Sequence, residues 1–442
     1  MSVPSLNKTS RVKKIYTRTR YALIGCGGLI AVFCFGFFIA PALFSSTYTR
    51  MSGNTEVLAE KIEKKETTDV VHIPTPSAVK AIYMSQCVVG TPSFRDKLVA
   101  LIDDTELNSV IIDVKDFSGK IGFTTDNPVL AGAVSDACGA RDMKEFIKVL
   151  HSKNIYTIAR ITVFQDPYYT KAHPELAVKK ASDGSVWKDN KGLSFIDVGA
   201  QPFWEYIVEL GRASYALGFD ELNFDYVRYP SDGNMKDIAF TFSKGVSKAD
   251  MLERFFSYLY ESFDTGETPT FGLRPSRRDA LDSTRPALSV DLFGYTTTNT
   301  DDLGIGQVLE RALPYFDYVM PMVYPSHYNS GFINIPKPAT EPYKVVKYSM
   351  DASVRRARLL GLAGASEATS TEMVFLRGQS QKGHGNITIQ QMRPWLQDFD
   401  MGATYTPEMV RAQMQATYDA GLTSWALWDA GNTYTRGALN AQ

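Results

Sequence analysis

Three apolar segments of the chain each end in an aspartate, at Asp113, Asp225 and Asp291. Burying a carboxylate is costly unless its charge is paired, so a buried strand has no packing reason to end in this residue. In a barrel of parallel strands, side chains at the carboxyl ends of the strands face the catalytic mouth. The sequence therefore predicts one site that is lined by these three carboxyl groups.

Asp225 and Asp291 are expected to form the reactive pair of this site. Side chains alternate between the two faces of a strand, which places Asn223 with Asp225 and Ser289 with Asp291. Glycoside hydrolysis needs one carboxyl group as acid and a second as nucleophile or base, and adjacent strands would hold the two at the same level. We predict this reaction with Asp225 as nucleophile or base and Asp291 as acid, and the opposite assignment stays open. In the alternative interpretation, Asp291 only pairs with a cationic side chain.

Three cationic side chains lie close to these aspartates in the predicted elements. Lys115 shares a face with Asp113, Arg160 belongs to the third strand, and Arg228 follows the fourth. An arginine stabilises the ionised form of a carboxylate and orients it. All three, together with Asp113, are predicted to bind substrate, and the alternative for Lys115 and Asp113 is a plain ion pair.

Aromatic and polar side chains follow the sixth, seventh and eighth strands. They suit sugar recognition, because rings stack on sugars and polar groups bind hydroxyls. In the alternative interpretation these residues are structural: the aromatic residues form a rigid turn, and the tryptophans belong to the core. The predicted sugar-binding residues are Tyr324, His327, Trp395, Gln397, Asp398 and Trp428.

The composition excludes several other functions. The five histidines show no zinc-ligand spacing such as H-E-x-x-H, and no G-x-S-x-G elbow or phosphate-binding loop occurs. We therefore expect no metal and no cofactor. The 47 basic and 48 acidic residues leave no basic excess that would indicate nucleic-acid binding.

Residues 78–442 are predicted to have an α/β fold, a (β/α)8 TIM barrel. Eight short apolar segments, from Val79–Ser85 to Ser424–Asp429, alternate with amphipathic segments, as parallel sheets require. The eighth helix is expected to be short or missing. A doubly wound open sheet is the alternative, but no glycine-rich fingerprint follows the first strand. Residues 363–392 show weak periodicity and are interpreted as a long loop.

The N-terminal region predicts a membrane anchor. Residues 1–20 hold six lysines and arginines, and residues 21–44 are 24 consecutive residues without a charge. About 20 apolar residues span a bilayer, and the positive flank stays in the cytoplasm. We predict a cytoplasmic tail over 1–20, a transmembrane helix over 21–44, a linker over 45–77 and an extracytoplasmic barrel. A signal peptide cleaved near Ala40–Ala42 is the alternative.

Two cysteines, Cys87 and Cys138, fall in the predicted extracytoplasmic part, where disulfides form readily. Two cysteines alone do not establish proximity in the fold. Whether they are bridged is therefore left open.

Several motifs in order along the chain resemble a bacterial protein family. The family is the "Putative glycosyl hydrolase domain", once a domain of unknown function and grouped with the TIM-barrel glycosidases. The resemblance implies the barrel, the glycosidase reaction and a site role for Asp225, with Asp291, Tyr324, His327, Gln397 and Asp398 behind it. Cys87, Cys138 and the long 363–392 stretch depart from the family pattern. The motifs are Ile158–Pro167, Phe224–Gly233, Ser289–Gly294, Met320–Tyr328 and Arg393–Phe399.

The function predicted from these observations is a membrane-anchored glycoside hydrolase that acts on a cell-surface or envelope polysaccharide. Two other functions remain open. One is a barrel that binds carbohydrate without turnover, and the other is an envelope scaffold that uses the barrel as an interaction surface.

Overall fold

The computed structural model describes residues 70–264, 285–363, 371–383 and 386–442. The predicted cytoplasmic tail, the predicted transmembrane helix and most of the predicted linker lie outside these residues. Within the described ranges, no helix is both long enough and apolar enough to cross a membrane.

Eight parallel strands form a closed barrel, in which each strand pairs with the next and the last pairs with the first. This confirms the predicted TIM barrel and is incompatible with an open doubly wound sheet. The strands are β1 (Lys80–Met84), β2 (Ser109–Lys115), β3 (Tyr156–Thr162), β4 (Glu221–Asp225), β5 (Ala287–Phe293), β6 (Tyr318–Met322), β7 (Trp395–Gln397) and β8 (Trp425–Trp428).

Helices alternate with the strands along the chain. After β8, the described chain forms only a short 3-10 turn at Arg436–Ala438, in line with the expected short or missing eighth helix. The helices are α1 (Gln86–Val89), α2 (Pro92–Asp103), α3 (Met143–Ser152), α4 (Pro167–Ala172), α5 (Gln201–Leu217), α6 (Lys248–Asp264), α7 (Leu309–Ala312), α8 (Pro342–Ala363), α9 (Thr371–Ser380) and α10 (Pro407–Asp419).

Local signals in the sequence set the ends of the longer helices. A proline occupies the first turn of α5, where a missing N–H costs no hydrogen bond, and Gly218 ends this helix with φ 117°. The side chain of Thr406 caps α10 by accepting a hydrogen bond from the backbone N–H of Met409. The connections from α5 to β4 and from α10 to β8 are short as a result.

The barrel interior is built in layers along its axis. At the amino-terminal end of the strands, Arg393 pairs with Glu221 at 2.8 Å, and both side chains are fully buried. The Tyr156 hydroxyl adds a hydrogen bond of 3.1 Å to the same glutamate. Apolar side chains fill the middle, including Ile158 and Met320. Because this filling closes the lower part of the barrel, only the carboxyl ends of the strands can hold a site.

Residues before β1 pack against the amino-terminal end of the barrel. The backbone N–H of Ile73 donates to Asp220 at 2.8 Å, and the hydroxyls of Thr75 and Tyr156 lie 2.9 Å apart. The segment that leads into β1 therefore lies at the end of the barrel opposite to the carboxyl ends of the strands.

The predicted loop over 363–392 is wrong in part. The structure contains a helix, α9, within it, and α8 continues to Ala363. The described end of this stretch packs away from the carboxyl ends of the strands, since Lys382 pairs with Glu253 on α6 and Gly383 lies against the carbonyl of Pro314, just before β6. The helix escaped detection because its sequence has little apolar periodicity.

Cys87 on α1 and Cys138 form a disulfide, with their Cα atoms 4.5 Å apart. The bond settles the question that the sequence left open. It joins the segment after β1 to the segment between β2 and α3, and it closes a loop of 51 residues.

We expect the Cys87→Ser, Cys138→Ser double variant to lose about 2–4 kcal/mol in free energy of unfolding, because the unfolded chain gains the entropy of an open loop. Urea unfolding under oxidising conditions measures this. Wild-type protein in a reducing buffer serves as the control and should match the variant. Equal stability of the oxidised wild type and the double variant would show that the bond does not stabilise the fold.

Candidate active site

A cavity of about 750 Å³ opens at the carboxyl ends of the strands. Its floor contains the carboxyl groups of Asp113, Asp225 and Asp291 together with the guanidinium group of Arg160. Its wall is largely aromatic, with contributions from Tyr83, Phe117, Tyr226, Phe293, Tyr295, Tyr324, Tyr328, Trp395 and Trp428. The three aspartates that the sequence singled out thus lie at one site.

Arg160 lies at the centre of the floor and faces all three aspartates. Its Nη1 donates to Asp113 at 2.5 Å, its Nη2 donates to Asp225, and its Nε lies 3.6 Å from Asp291. All four side chains are at most 7% exposed. The interaction is strong because the surroundings contain little water to screen it. One cation therefore faces three carboxyl groups, which do not all ionise easily.

Asp225 accepts one hydrogen bond at each of its two carboxyl oxygens. One oxygen accepts from Arg160, and the other accepts from the backbone N–H of Tyr226 at 2.5 Å. Tyr226 has a φ of 52°, a left-handed conformation that is unfavourable for a bulky residue. This conformation aims the N–H at the carboxylate. Local strain thus accompanies the orientation of the predicted nucleophile or base.

Asp291 is held differently. Its Oδ1 accepts from the side-chain amide of Asn223 at 2.9 Å and from the indole N–H of Trp395 at 2.8 Å. Burial and the nearby negative charge of Asp225 raise the pKa of Asp291 to about 8, against the opposing effect of Arg160. With both donors on Oδ1, the proton of the neutral acid has Oδ2 available. This shift favours the protonated form of Asp291, the form that a general acid requires.

Asp113 completes the floor from the opposite side. It accepts hydrogen bonds from Arg160 and from the hydroxyl of Tyr83. Burial raises the pKa of Asp113, and the charge of Arg160 opposes that shift. Its contacts fix the position of the guanidinium group, so Asp113 acts on the other two aspartates through Arg160. The alternative ion pair between Asp113 and Lys115 does not form, because Lys115 pairs with Asp166.

The side chain of Lys115 lies outside the cavity. The register between β2 and β3 shifts between Asp113 and Lys115, and the lysine side chain turns away. Its ammonium group pairs with Asp166 at 2.9 Å and donates to the carbonyl of Thr162 at 2.6 Å. The predicted substrate contact of Lys115 is therefore wrong, because simple alternation fails at an irregular strand position.

Gln397 and Asp398 also lie outside the cavity wall. The side chain of Gln397 accepts from the backbone of Ser326 at 3.1 Å and donates to the carbonyl of Phe399, so it supports the loop after β6. Asp398 accepts from the backbone N–H of Thr435 at 2.9 Å, and burial raises its pKa to about 6. Gln397 and Asp398 therefore stabilise neighbouring loops instead of lining the predicted sugar site.

The remaining predicted residues line the cavity: Arg228, Tyr324, His327, Trp395 and Trp428. Partial burial lowers the pKa of His327, so its imidazole is neutral at neutral pH. Trp395 is buried, and its N–H is committed to Asp291, which makes it a support for the acid more than a platform. His327 at the exposed rim and the half-buried Trp428 have surfaces that a sugar can contact.

Sequence reasoning missed several cavity residues, among them Tyr83, Tyr226 and Phe293. Two of them carry a signal that alternation would have found. Phe293 lies two positions after Asp291 on β5, and Tyr83 is the penultimate residue of β1. Tyr226 has no such signal, because its direction depends on a left-handed backbone. Within the described ranges, no group of three or more metal-binding side chains is arranged to hold an ion.

We expect Asp291→Asn to stabilise the fold at alkaline pH. Well below pH 4 the carboxyl group is protonated in both states; as the pH rises towards 8, the unfolded chain loses the proton and the folded chain keeps it, so wild-type stability falls. The amide does not titrate and avoids this loss.

Urea unfolding at about pH 5 and about pH 9 measures the difference, which should grow by a few kcal/mol towards the higher pH. The exposed Asp126→Asn is the control and should follow wild type. A variant that is equally destabilised at both pH values would contradict the raised pKa.

Comparison with known proteins places the chain in a family. A family model described as "Putative glycosyl hydrolase domain" matches residues 81–434. No curated protein matches the chain.

Several solved structures are similar to the chain. A hypothetical protein from Ruminiclostridium thermocellum is 27% identical, with 50% of this chain and 98% of that one covered and a TM-score of 0.39. The PgaB (BpsB) glycoside hydrolase domain from Bordetella bronchiseptica is 13% identical, with 80% and 95% covered and a TM-score of 0.52. Alpha-L-fucosidase isoenzyme 2 from Paenibacillus thiaminolyticus is 10% identical, with 82% and 48% covered and a TM-score of 0.50.

The last two likenesses establish the barrel fold and nothing finer, because their identity is low. The family model covers most of the chain and nearly the whole barrel. The chain therefore belongs to the family of the "Putative glycosyl hydrolase domain", and its barrel is a domain of the glycoside hydrolase class.

Proposed function

We propose that the barrel hydrolyses O-glycosidic bonds of a cell-surface or envelope polysaccharide, with Asp291 as the acid and Asp225 as the nucleophile or base. One observation supports this proposal above the others. Two carboxyl groups share a cavity and one arginine, yet Asp225 accepts a direct hydrogen bond from the arginine, whereas burial and the charge of Asp225 raise the pKa of Asp291. That is the division of labour that glycoside hydrolysis requires.

The reaction follows from these two states. Asp291 transfers its proton to the glycosidic oxygen as the bond from that oxygen to the anomeric carbon breaks. The Asp225 carboxylate either bonds to the anomeric carbon and is later displaced by water, or takes a proton from a water that attacks directly. In both routes the products are two sugars, one with a new hydroxyl at the anomeric carbon and one with the hydroxyl of the departing group.

Arg160 supports both residues in this scheme. It donates a direct hydrogen bond to Asp225 and orients this carboxyl group, while its Nε is too far from Asp291 for a strong hydrogen bond. The pKa of Asp291 therefore stays high even with a cation nearby. Once Asp291 has given up its proton, the same guanidinium group stabilises the new anion.

A polysaccharide suits the aromatic wall of the cavity. Rings such as Trp428 and Phe117 present flat apolar surfaces, on which the C–H faces of sugars stack. The Bordetella domain that shares the barrel is itself named as a glycoside hydrolase domain, which is in keeping with this choice. Fold alone does not carry function, so the weight of the proposal rests on the acid pair.

We further infer that residues 21–44 anchor the protein in the membrane, with the N-terminus in the cytoplasm and the barrel outside. The uncharged segment is long enough to span a bilayer, and a basic flank precedes it. The disulfide between Cys87 and Cys138 supports an extracytoplasmic location of the barrel, since such bonds persist in oxidising compartments.

The two aspartates should respond differently to the leaving group. We expect Asp291→Asn to lower kcat/KM on a polysaccharide by about 10²–10⁴-fold, because the departing oxygen is no longer protonated. The loss should be much smaller on an aryl glycoside whose phenolate leaves without a proton. Asp225→Asn should be severely impaired on both substrates.

Steady-state kinetics of the purified full-length variants measures this, with Asp126→Asn as the exposed control. Equal losses of Asp291→Asn on both kinds of substrate would remove it from the role of acid. If Asp225→Asn retained wild-type turnover, the other carboxyl groups of the cavity floor would become the candidates for its role.

Fractionation of cells tests the anchor. We expect the full-length protein to stay with membranes after an alkaline wash, and a version without residues 21–44 to appear in the soluble fraction. Protease added to intact spheroplasts should digest the barrel, because it lies outside. Release of the full-length protein by the alkaline wash, or protection from protease, would contradict the proposal.

A further inference from the structure

Arg228 is a cation at the cavity wall that has no carboxylate partner. It follows β4, and within the described chain no Asp or Glu oxygen lies within 4.0 Å of its guanidinium group. The arginines inside the barrel differ, because Arg160 and Arg393 each pair with a carboxylate. Because Arg228 forms no ion pair with a carboxylate, stabilisation of the fold does not explain a charged side chain in this largely aromatic wall.

One edge of the Arg228 guanidinium group is fixed by the protein. Its Nη1 donates to the carbonyl of Tyr229 at 3.1 Å and to the hydroxyl of Ser231 at 3.2 Å. The Nε and Nη2 atoms have no acceptor in the described part of the chain and are not sealed from solvent. The Nε–Nη2 edge offers two parallel N–H groups, the arrangement that binds carboxylate or phosphate through two hydrogen bonds.

Aromatic rings hold the guanidinium group in place. Its central carbon lies 5.1 Å from the ring centres of Tyr226 and Phe293 and 5.9 Å from that of Phe195. Burial lowers the pKa of Arg228, so the charged form lacks part of the stabilisation that water would give. An incoming oxyanion would restore that stabilisation, and the preorganised position reduces the entropy cost of binding.

The charges of Asp225, Asp232 and Asp189 act on Arg228, but none of these carboxylates forms an ion pair with it in the described part of the chain. Asp225 accepts a hydrogen bond from Arg160, and the raised pKa of Asp291 favours its neutral form. Asp116 lies after β2, and its carboxylate accepts from the backbone and hydroxyl of Ser118. The positive charge on the β4 side of the cavity is thus available to a ligand.

We propose that Arg228 binds an anionic group of the substrate, so that the glycan cleaved by this protein is an acidic one, whose sugars carry carboxylate or phosphate groups. This inference rests on the proposed function for the identity of the ligand as a glycan. It adds the charge of the substrate and the residue that selects it. The oxyanion would lie beside Phe293, two residues after Asp291, and so close to the bond that is cleaved.

Binding of acidic polymers and their neutral counterparts tests the proposal without requiring turnover. The probes are polygalacturonate and alginate, each with a carboxyl-reduced form, and a phosphomannan with its dephosphorylated form. Titration calorimetry uses the full-length Asp225→Asn protein, so that cleavage does not disturb the measurement. We expect at least one acidic polymer to bind roughly 10- to 100-fold more tightly than its neutral form. The polymer that does so identifies carboxylate or phosphate as the group.

Variants of Arg228 then assign the preference. Arg228→Gln, made in the same protein, should remove the difference between acidic and neutral polymers, and Arg228→Lys should retain part of it through its charge. The exposed Arg358→Gln on α8 is the matched control and should bind as the parent does. Thermal unfolding checks that each variant is folded, and if Arg228→Gln is not, the lysine variant and the salt dependence of the parent carry the test.

The outcomes separate this inference from the proposed reaction. No acidic polymer bound more tightly than its neutral form, or a preference that survives in Arg228→Gln, would overturn the role of Arg228. A charge preference without any hydrolysis by the wild type would leave the role of Arg228 standing and refute the proposed reaction. Hydrolysis of neutral and acidic polymers at equal rates and affinities would support the proposed reaction and refute the role of Arg228.

Discussion

The site depends on one buried cation, Arg160, that faces three buried aspartates. The guanidinium group donates a hydrogen bond to Asp113 and one to Asp225, and this pairing offsets the cost of burying both carboxyl groups. It cannot do the same for Asp291, whose nearest contact with it is 3.6 Å. Three carboxyl groups face a single guanidinium group, and this imbalance favours the protonated form of Asp291. A glycosidase needs one protonated and one ionised carboxyl group.

The barrel supplies the geometry for this arrangement. The parallel pairing places Arg160 on β3 opposite Asp113 on β2. On β4 its register partner is Asn223, and its side chain reaches Asp225, two positions further along the strand. The layers below are filled by apolar side chains and closed by the Arg393–Glu221 pair, so the charged layer can only face the cavity. Trp395 on β7, two strands along the barrel from β5, donates a hydrogen bond to Asp291 and so links β7 to the acid.

The sequence alone predicted the barrel and the three aspartates, because apolar strands that end in acids are a strong and regular pattern. It failed where the backbone is irregular: Lys115 turns away at a register shift, and the left-handed Tyr226 could not be seen from alternation. It also failed where a polar side chain serves a loop, as Gln397 does. Such roles depend on tertiary contacts that a single sequence does not encode locally.

The most direct measurement is the release of new reducing ends from a panel of bacterial and plant polysaccharides by the full-length protein and by its Asp225→Asn variant. We expect the wild type to release them from at least one polysaccharide and the variant to release none. Equal release by both proteins would contradict the central place of Asp225. No release by the wild type, together with measurable binding of a glycan, would show that the barrel binds carbohydrate without cleaving it.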